Sequence, residues 1–203
     1  MSKLLSMMMS SSGGGGIPAR YTQVDYIETP TSYLSYIDTG IQVGANVRVV
    51  TKIKALAGYM NMPVFGFFNA YSGSQYYHLT PFNYKWYYGA YPSEGNAGSY
   101  SSSQTYEIDY NNNGTLIING TTLATGFTTS GSDNLLIAHK GQTSDSLYGH
   151  YKYYYFQVYV SGNLVRDMIP VYDTVNQVYG MYDVVSQAFF GNSGSGTITG
   201  GND

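Results

Sequence analysis

The strongest constraint on the fold is an alternation of apolar and polar side chains with a period of two residues. It is clearest over Val47–Ala55, which reads VRVVTKIKA. Successive side chains of a strand point to opposite faces, so this pattern predicts a sheet with one buried and one solvated face. No window of useful length has the periodicity of a helix. We therefore expect an all-β chain, whose buried positions here are Val47, Val49, Thr51, Ile53 and Ala55.

Turn signals separate many short β-rich segments. Asn119-Gly120 predicts a two-residue type I′ turn between segments 115–118 and 121–124. Ser161-Gly162-Asn163 predicts a second hairpin, after Tyr151–Val160. Short strands at short spacing predict one antiparallel, two-sheet jelly-roll β-sandwich. The remaining β-rich segments are 63–69, 76–80, 84–91, 105–110, 135–139 and 164–170.

Residues 1–20 differ from the rest of the chain, and we treat residues 21–203 as one domain. The apolar run at the N-terminus is broken by Ser6 and is too short for the hydrophobic region of a signal peptide. Residues 13–16 are all glycine, which predicts a flexible tether. Two interpretations remain open: an unstructured N-terminus, or an apolar segment that orders when it docks on a partner protein. The docking residues would be Leu4, Leu5, Met7, Met8 and Met9.

Composition excludes several classes of partner and site. Charged residues make up 10% of the chain and the net charge is -3, which argues against binding to nucleic acid. The chain has no cysteine, so disulfides, thiol catalysis and cysteine-ligated metal sites are excluded. No apolar stretch is long enough to span a membrane as a helix.

Several segments together resemble a known family. Residues 21–41 (YTQVDYIETPTSYLSYIDTGI) and 154–171 (YYFQVYVSGNLVRDMIPV) resemble the opening and closing strands of concanavalin A-like, laminin G-like jelly-roll domains. Residues 106–123, 135–140, 180–183 and 189–196 match further parts of the same pattern. Domains of this type occur in virion proteins of phages of gut bacteria. The resemblance implies a two-sheet jelly roll and, in many members, carbohydrate binding.

One acidic motif is a candidate catalytic site. Glu107-Ile108-Asp109-Tyr110-Asn111-Asn112 is similar to the E-x-D-x-x-E motif of laminarinase-like glycanases on this fold. Retaining hydrolysis by such enzymes needs two carboxyl groups, one of which protonates the leaving oxygen. Asn112 replaces the last glutamate, and an amide does not donate a proton in this way. We therefore expect an ordinary strand that enters a hairpin, and a protein that is not an enzyme.

Metal sites receive little support from the sequence. The three histidines, His78, His139 and His150, lack the spacing of known ligand motifs. Some relatives on this fold hold calcium at the rim of the sandwich, and Asp133 with Asn134 would be its ligands here. Our expectation is that the protein has no cofactor.

Aromatic residues carry most of the functional information. Alternation over Tyr151–Val160 places Tyr154, Phe156, Val158 and Val160 on the core side, and Tyr151, Tyr153, Tyr155 and Tyr159 on the other. Amphipathic rings of this kind are enriched at interfaces. Three interpretations remain open: a platform for sugar rings, an interface between subunits, and a face covered by the domain's own loops. The predicted sugar-stacking residues are Trp86, Tyr88, Tyr153 and Tyr155.

The resemblance to virion jelly-roll domains implies a phage virion surface protein, as a capsid decoration, head fibre or tail-associated module that adheres to glycans or to the host surface. The abundance of neutral polar residues favours neutral sugars, and weak single sites favour a homo-oligomer that binds with avidity. The N-terminus would hold other virion proteins. The alternatives are a secreted or cell-surface carbohydrate-binding protein of a gut bacterium, and a purely structural cementing protein of the virion.

Overall fold

The computed structural model of the protein describes residues 16–30, 35–44, 46–56, 63–69, 75–90, 94–127, 133–139 and 150–203. Leu4, Leu5, Met7, Met8 and Met9 lie outside these residues, so their docking on a partner stays a prediction. Within the described ranges every regular element is a strand. None of the described residues forms a helix long and apolar enough to cross a membrane.

The described residues form seventeen strands. They are β1 (Tyr21–Gln23), β2 (Tyr26–Glu28), β3 (Ile37–Gln42), β4 (Val47–Ala55), β5 (Phe65–Asn69), β6 (Gln75–Phe82), β7 (Lys85–Ala90), β8 (Gly95–Ala97), β9 (Thr105–Asn111), β10 (Thr115–Ile118), β11 (Thr121–Thr125), β12 (Asn134–Ile137), β13 (Tyr151–Val160), β14 (Asn163–Asp173), β15 (Val178–Asp183), β16 (Ala188–Phe190) and β17 (Thr199–Gly201).

Two antiparallel sheets make up the sandwich, as the sequence predicts. The large sheet has the order β11-β10-β9-β4-β13-β14-β15-β16, with β1 paired to β14 and β2 paired to both β13 and β17. The small sheet has the order β3-β12-β5-β6-β7-β8. Apolar residues from both sheets meet in one core, which includes Ile53, Phe65, Leu79, Ile137 and Phe156, each at most 2% exposed. Burial of these side chains is the main stabilising contribution to the fold.

Both predicted hairpin turns are present. Asn119 and Gly120 have φ angles of 51° and 75°, the left-handed values that a type I′ turn requires at its two central residues. Ser161 and Gly162 have φ angles of 50° and 82°, so this turn also has two central residues. Asn163, which the sequence assigned to the turn, is the first residue of β14. The second turn is therefore one residue shorter than expected.

The predicted faces of β13 are wrong over its first half, because the strand contains a β-bulge. Tyr153 pairs with Ile53 and Tyr155 pairs with Lys52, so Tyr154 is an extra residue between two adjacent positions of β4. A bulge shifts the alternation by one residue. Tyr151 and Tyr153 are therefore buried in the core at 1% and 0% exposure, whereas Tyr154 and Tyr155 are partly exposed. Beyond the bulge, Phe156 and Val158 are buried as predicted.

Residues 17–23, the N-terminal arm, include β1, which pairs with the end of β14 in the large sheet. Ile17 and Tyr21 pack on a second apolar cluster, formed by Ile169, Val171 and Tyr182. The Tyr21 ring is 5.5 Å from the Phe189 ring and nearly parallel to it. The arm thus shields part of β14, β15 and β16.

Candidate functional site

The outer side of β9, β4 and β13 carries a regular array of exposed and partly exposed side chains, which we call the outer grid. Strand register places its members in three rows that cross the sheet. Each end row contains a tyrosine, a cation and a polar residue, and the middle row contains an amide, a valine and a carboxylate. The rows are Tyr155, Lys52 and Glu107; Gln157, Val50 and Asp109; and Tyr159, Arg48 and Asn111.

The charges of the outer grid are paired. Arg48 donates two hydrogen bonds to Asp109, from Nε to Oδ1 at 2.7 Å and from Nη2 to Oδ2 at 2.6 Å. These bonds raise the pKa of the Arg48 guanidinium, although partial burial opposes the shift. Lys52 Nζ lies 3.7 Å from Glu107 Oε1. The two cations of the grid are therefore balanced by two carboxylates, and the grid presents polar groups with little net charge.

The acidic motif is divided between two environments. Glu107 and Asp109 lie on the outer grid, where each is paired with a cation. Asn112 is 2% exposed, and its Nδ2 donates a hydrogen bond to the Gly44 carbonyl at 3.1 Å. Its amide therefore ties the start of the β9–β10 turn to the segment that precedes β4. The segment is a strand entering a hairpin, as the sequence predicts.

An open cleft lies at one end of the outer grid, where β4 begins and β9 and β13 end. Its volume is about 360 Å³. The type I′ turn between β13 and β14 forms one wall, and the residues around the β9–β10 turn form the other. We call this the end cleft; its lining residues are Asn46, Arg48, Asn111, Asn113, Tyr159, Ser161 and Gly162.

Internal contacts hold the lining of the end cleft in place. The guanidinium carbon of Arg48 lies 5.3 Å from the centroid of the Tyr159 ring. Asn113 Nδ2 donates to Asn46 Oδ1 at 2.8 Å, and the Asn113 backbone N–H donates to Asn111 Oδ1 at 3.0 Å. A partly exposed ring beside three amides suits a ligand that has both apolar faces and hydroxyl groups.

The structure separates the four residues predicted to stack on sugars. Trp86 is 0% exposed and meets the rings of Tyr100 and Tyr106 edge-on, with ring centroids 5.2 Å and 5.0 Å away. Tyr153 is 0% exposed, and its hydroxyl donates to the Val64 carbonyl at 2.7 Å. Neither ring presents a face to solvent, so neither belongs to the candidate site.

Tyr88 and Tyr155 have different surroundings. Tyr88 is partly exposed and packs against the core, with its ring centroid 4.9 Å from that of Phe127. Tyr155 lies on the outer grid. Tyr159, which the sequence placed among the outward tyrosines, lines the end cleft. Sequence reasoning missed Asn46 and Asn113; the run of three asparagines at 111–113 is the one local signal that could have pointed to this end of the sheet.

The predicted calcium ligands form part of a hydrogen-bonded rim. Asn134 Nδ2 donates to Asp38 Oδ2 at 3.1 Å, and Asp38 Oδ1 accepts from the Gly40 backbone N–H at 2.8 Å. The Asp133 carbonyl accepts from the Val43 backbone N–H at 3.1 Å. Among the described residues, no three acidic or histidine side chains come close enough together to hold a metal ion.

No family model matches the sequence, and no curated protein matches it. Solved structures do match the fold. Trypanosoma rangeli sialidase in complex with sialic acid aligns with a TM-score of 0.50 at 12% identity, over 71% of this chain and 27% of the sialidase chain. The same sialidase aligns in complex with 2,3-difluorosialic acid, a covalent intermediate, with a TM-score of 0.49 at 12% identity, over 60% and 21%. With the inhibitor DANA the TM-score is 0.43 at 14% identity, again over 60% and 21%.

At 12% identity, the first of these alignments shows a shared fold and no more. The chain spans about a quarter of the length of the sialidase it matches there, since 27% of that chain is covered. A shared fold does not by itself transfer an activity or a substrate.

The prediction that the protein is not an enzyme is corrected by these comparisons. The sialidase in complex with sialic acid, which aligns with a TM-score of 0.50, is an enzyme, so a fold of this kind occurs within an enzyme. The prediction relied on Asn112, which stands in place of the last glutamate of the laminarinase-like motif. The absence of that glutamate argues against one kind of glycanase only. Glycoside hydrolysis does not always use a pair of carboxyl groups, so the missing glutamate gives no ground for a non-enzymatic assignment.

Proposed function

We propose that the domain binds neutral carbohydrate in the end cleft. The observation that carries this proposal is the position of the Tyr159 ring beside Asn46, Asn111 and Asn113 in an open cleft of about 360 Å³. A sugar ring has apolar C–H faces that pack on an aromatic ring and hydroxyls that need directed partners. The tyrosine supplies the first contact, and the amides, each a donor and an acceptor, supply the second.

Charge pairing favours a neutral ligand over an acidic one. Two of the Arg48 guanidinium nitrogens already donate to Asp109, so a ligand carboxylate would compete with that carboxylate for them. Lys52 is likewise 3.7 Å from the Glu107 carboxylate, so the two cations of the grid are balanced by two carboxylates and give an anion little net attraction. The fold similarity to a sialidase in complex with sialic acid supports carbohydrate as the ligand class, while the cleft itself supports the neutral subclass.

The biological setting of this binding is a further part of the proposal. The domain would act on the surface of a phage virion, attached through residues 1–16 and present in several copies. Support for that setting comes from the resemblance of residues 21–41 and 154–171 to virion jelly-roll domains. The alternative setting is a secreted or cell-surface carbohydrate-binding protein of a gut bacterium, for which the same cleft would serve.

The test is a glycan array of neutral and sialylated oligosaccharides, followed by calorimetry on every sugar that binds. We expect neutral sugars to bind, and Tyr159→Ala to lower their affinity about tenfold, as loss of an aromatic contact of about 1.4 kcal/mol would. The matched control is Tyr84→Ala, which removes a 61% exposed tyrosine from the turn between β6 and β7 of the small sheet.

Four outcomes would contradict the proposal. Absence of any bound sugar would remove the glycan function, and a preference for sialylated sugars would remove the neutral subclass. Equal losses in Tyr159→Ala and Tyr84→Ala would place the site elsewhere. A wild-type oligomer that buries Tyr159 between subunits, seen by cross-linking and by protection of the grid from hydrogen exchange, would favour the purely structural function instead.

A further inference from the structure

We propose that the ligand of the end cleft is a linear oligosaccharide that runs along β13 and makes a second aromatic contact with Tyr155. This inference rests on the proposed glycan function and adds the shape of the ligand. It follows from the way the bulge in β13 arranges the outer grid.

The bulge leaves two consecutive tyrosines, Tyr154 and Tyr155, on the outward side of β13, where regular alternation would leave only one of them outward. Tyr153 and Phe156 both face the core, so a strand without an extra residue could carry only one outward side chain between them. The extra residue leaves both Tyr154 and Tyr155 outward. Tyr155 then falls in register with Lys52, on the same side of the sheet as Tyr159 with Arg48. Bulges are over-represented beside functional sites, where they redirect side chains.

The spacing of Tyr155 and Tyr159 along the strand determines the kind of ligand. Tyr155 and Tyr159 are four residues apart on a strand whose pairing with β4 is regular between them. At the usual rise per residue, their Cα atoms are about 13 Å apart. A single sugar ring, which is about as large as one tyrosine ring, does not reach both. A chain of several sugar units lying parallel to the strand does.

The space between the rings carries hydrogen-bonding groups. Gln157 lies midway between Tyr155 and Tyr159 on the same side of β13. Its Nε2 donates to Asp167 Oδ1 at 3.0 Å, and its Oε1 accepts from the Tyr159 hydroxyl at 3.3 Å. The amide is therefore held in one orientation beside the proposed path of the ligand. A middle sugar unit would find a positioned polar group there.

Each end of the grid places a tyrosine beside a cation, which suits a ligand made of repeating units. Tyr159 stands beside Arg48, and Tyr155 stands beside Lys52. Burial raises the pKa of Tyr155, and the nearby Glu107, Tyr159 and Asp109 raise it further. Its hydroxyl therefore remains protonated at neutral pH and can donate a hydrogen bond to a sugar oxygen.

Chain length is the variable that tests the inference. The probes are linear gluco-, manno-, galacto- and xylo-oligosaccharides, each from the monosaccharide to the hexasaccharide, titrated into the full chain by calorimetry. We expect the affinity to rise with length until the chain spans both rings, and then to level off. Tyr155→Ala should abolish this gain, about tenfold, and leave binding of the monosaccharide unchanged. Tyr159→Ala should weaken all members of the series.

Two further variants separate stacking from other effects. Tyr155→Phe retains the ring and should retain most of the gain with length. Tyr154→Ala removes the neighbouring outward tyrosine, which lies in the bulge and outside the register of the grid, and should leave the gain in place. The melting temperature of each variant shows that it is folded.

The outcomes distinguish the inference from the function on which it rests. If no sugar in any series binds, the glycan function fails and the inference fails with it. If monosaccharides bind but length brings no gain, or if Tyr155→Ala weakens monosaccharides as much as hexasaccharides, the inference alone is overturned.

Discussion

The guanidinium of Arg48 lies over the ring of Tyr159, 5.3 Å from its centroid, and forms two hydrogen bonds with Asp109 at the same time. Asp109 on β9 thus orients Arg48 on β4, and Arg48 in turn supports the ring of Tyr159 on β13. Because the fork of an arginine is planar, the paired carboxylate restricts the plane in which it lies. The arrangement keeps the Tyr159 ring in place before a ligand arrives, which lowers the entropic cost of binding.

Replacement of Arg48 by lysine tests this arrangement. A lysine ammonium retains the charge but cannot form both hydrogen bonds of the fork with Asp109. We expect Arg48→Lys to lower the affinity for neutral oligosaccharides about fivefold, equivalent to about 1 kcal/mol. The melting temperature should fall by no more than about 2–4 °C, because exposed ion pairs contribute about 0–1 kcal/mol to stability.

Lys52→Arg is the matched control for that variant, since it alters the other cation of the outer grid while keeping its charge. It should leave monosaccharide binding unchanged. An Arg48→Lys protein that binds as tightly as the wild type would show that the guanidinium has no part in orienting the ring.

Alternation in the sequence predicted β4 and both of its faces, because valine, isoleucine and lysine differ sharply in their cost of burial. The same argument failed in β13, where Tyr151, Tyr153, Tyr154 and Tyr155 follow one another closely. Tyrosine is tolerated on a buried face and on an exposed one, so the run is compatible with either register. The bulge lies in the pairing of β13 with β4, which a local sequence pattern does not reveal.

The candidate site was only partly predictable for a related reason. Asn113 is hydrogen-bonded to Asn46 although 67 positions separate them, and Arg48 is paired with Asp109 across 61 positions. These contacts depend on the register between β4 and β9. The large aromatic ring of Trp86 suggests a stacking residue. Its position in β7, however, places it in the core, where its large apolar surface is buried.

Turn chemistry gives a prediction about stability. Gly120 has a φ of 75° and open space where a Cβ would be, so Gly120→Ala introduces backbone strain without a clash. We expect it to lower the free energy of unfolding by about 1–2 kcal/mol, measured by urea denaturation. Gly44→Ala is the control, because that position also has open space but no positive φ. It should be neutral or stabilising by up to about 1 kcal/mol.

A Gly120→Ala protein as stable as Gly44→Ala would contradict the type I′ turn between β10 and β11. Gly162→Ala provides an independent repeat of the measurement, since it also combines open space with a φ of 82°. The two turn variants should agree in sign.

Acid stability should depend on Asp173. This carboxylate accepts hydrogen bonds from Arg20 Nε at 2.9 Å and Nη2 at 2.5 Å, and from the backbone N–H groups of Val175 and Asn176 at 3.0 Å and 3.2 Å. Its side chain is 0% exposed. The hydrogen bonds from Arg20 lower the pKa of Asp173 well below the usual range of a carboxyl group, with smaller contributions from the backbone N–H groups, and desolvation opposes the shift.

A depressed pKa in the folded state means that Asp173 stabilises the protein above the pKa of the unfolded chain, about 3.9. This stabilisation declines as the pH falls through that value toward the lower pKa of the folded state. Asp173→Asn should therefore lower the melting temperature by several degrees at pH 7, and the difference from wild type should shrink at pH 2–3. A difference that is constant from pH 7 to pH 2 would contradict a titrating role. Glu94→Gln serves as a control acidic position.

The bulge in β13 leads to a direct comparison of two tyrosines that are two residues apart. Tyr153 is 0% exposed and donates a hydrogen bond to Val64, whereas Tyr155 lies on the outer grid. We expect Tyr153→Ala to lower the free energy of unfolding by about 3–5 kcal/mol through loss of a large buried ring. Tyr155→Ala should lower the free energy of unfolding by less than about 1 kcal/mol, because the ring it removes is partly exposed to solvent.

Phenylalanine variants keep the comparison informative if Tyr153→Ala does not fold. Tyr153→Phe retains the ring and removes only the hydrogen bond to the Val64 carbonyl, which costs about 0.5–1.5 kcal/mol. That carbonyl also accepts from the Ala138 backbone N–H at 2.9 Å, so it is not left without a partner. Tyr155→Phe should be neutral. The regular alternation expected from the sequence places both tyrosines on one outward face and so predicts equally small losses for the two; unequal losses require the extra residue between them.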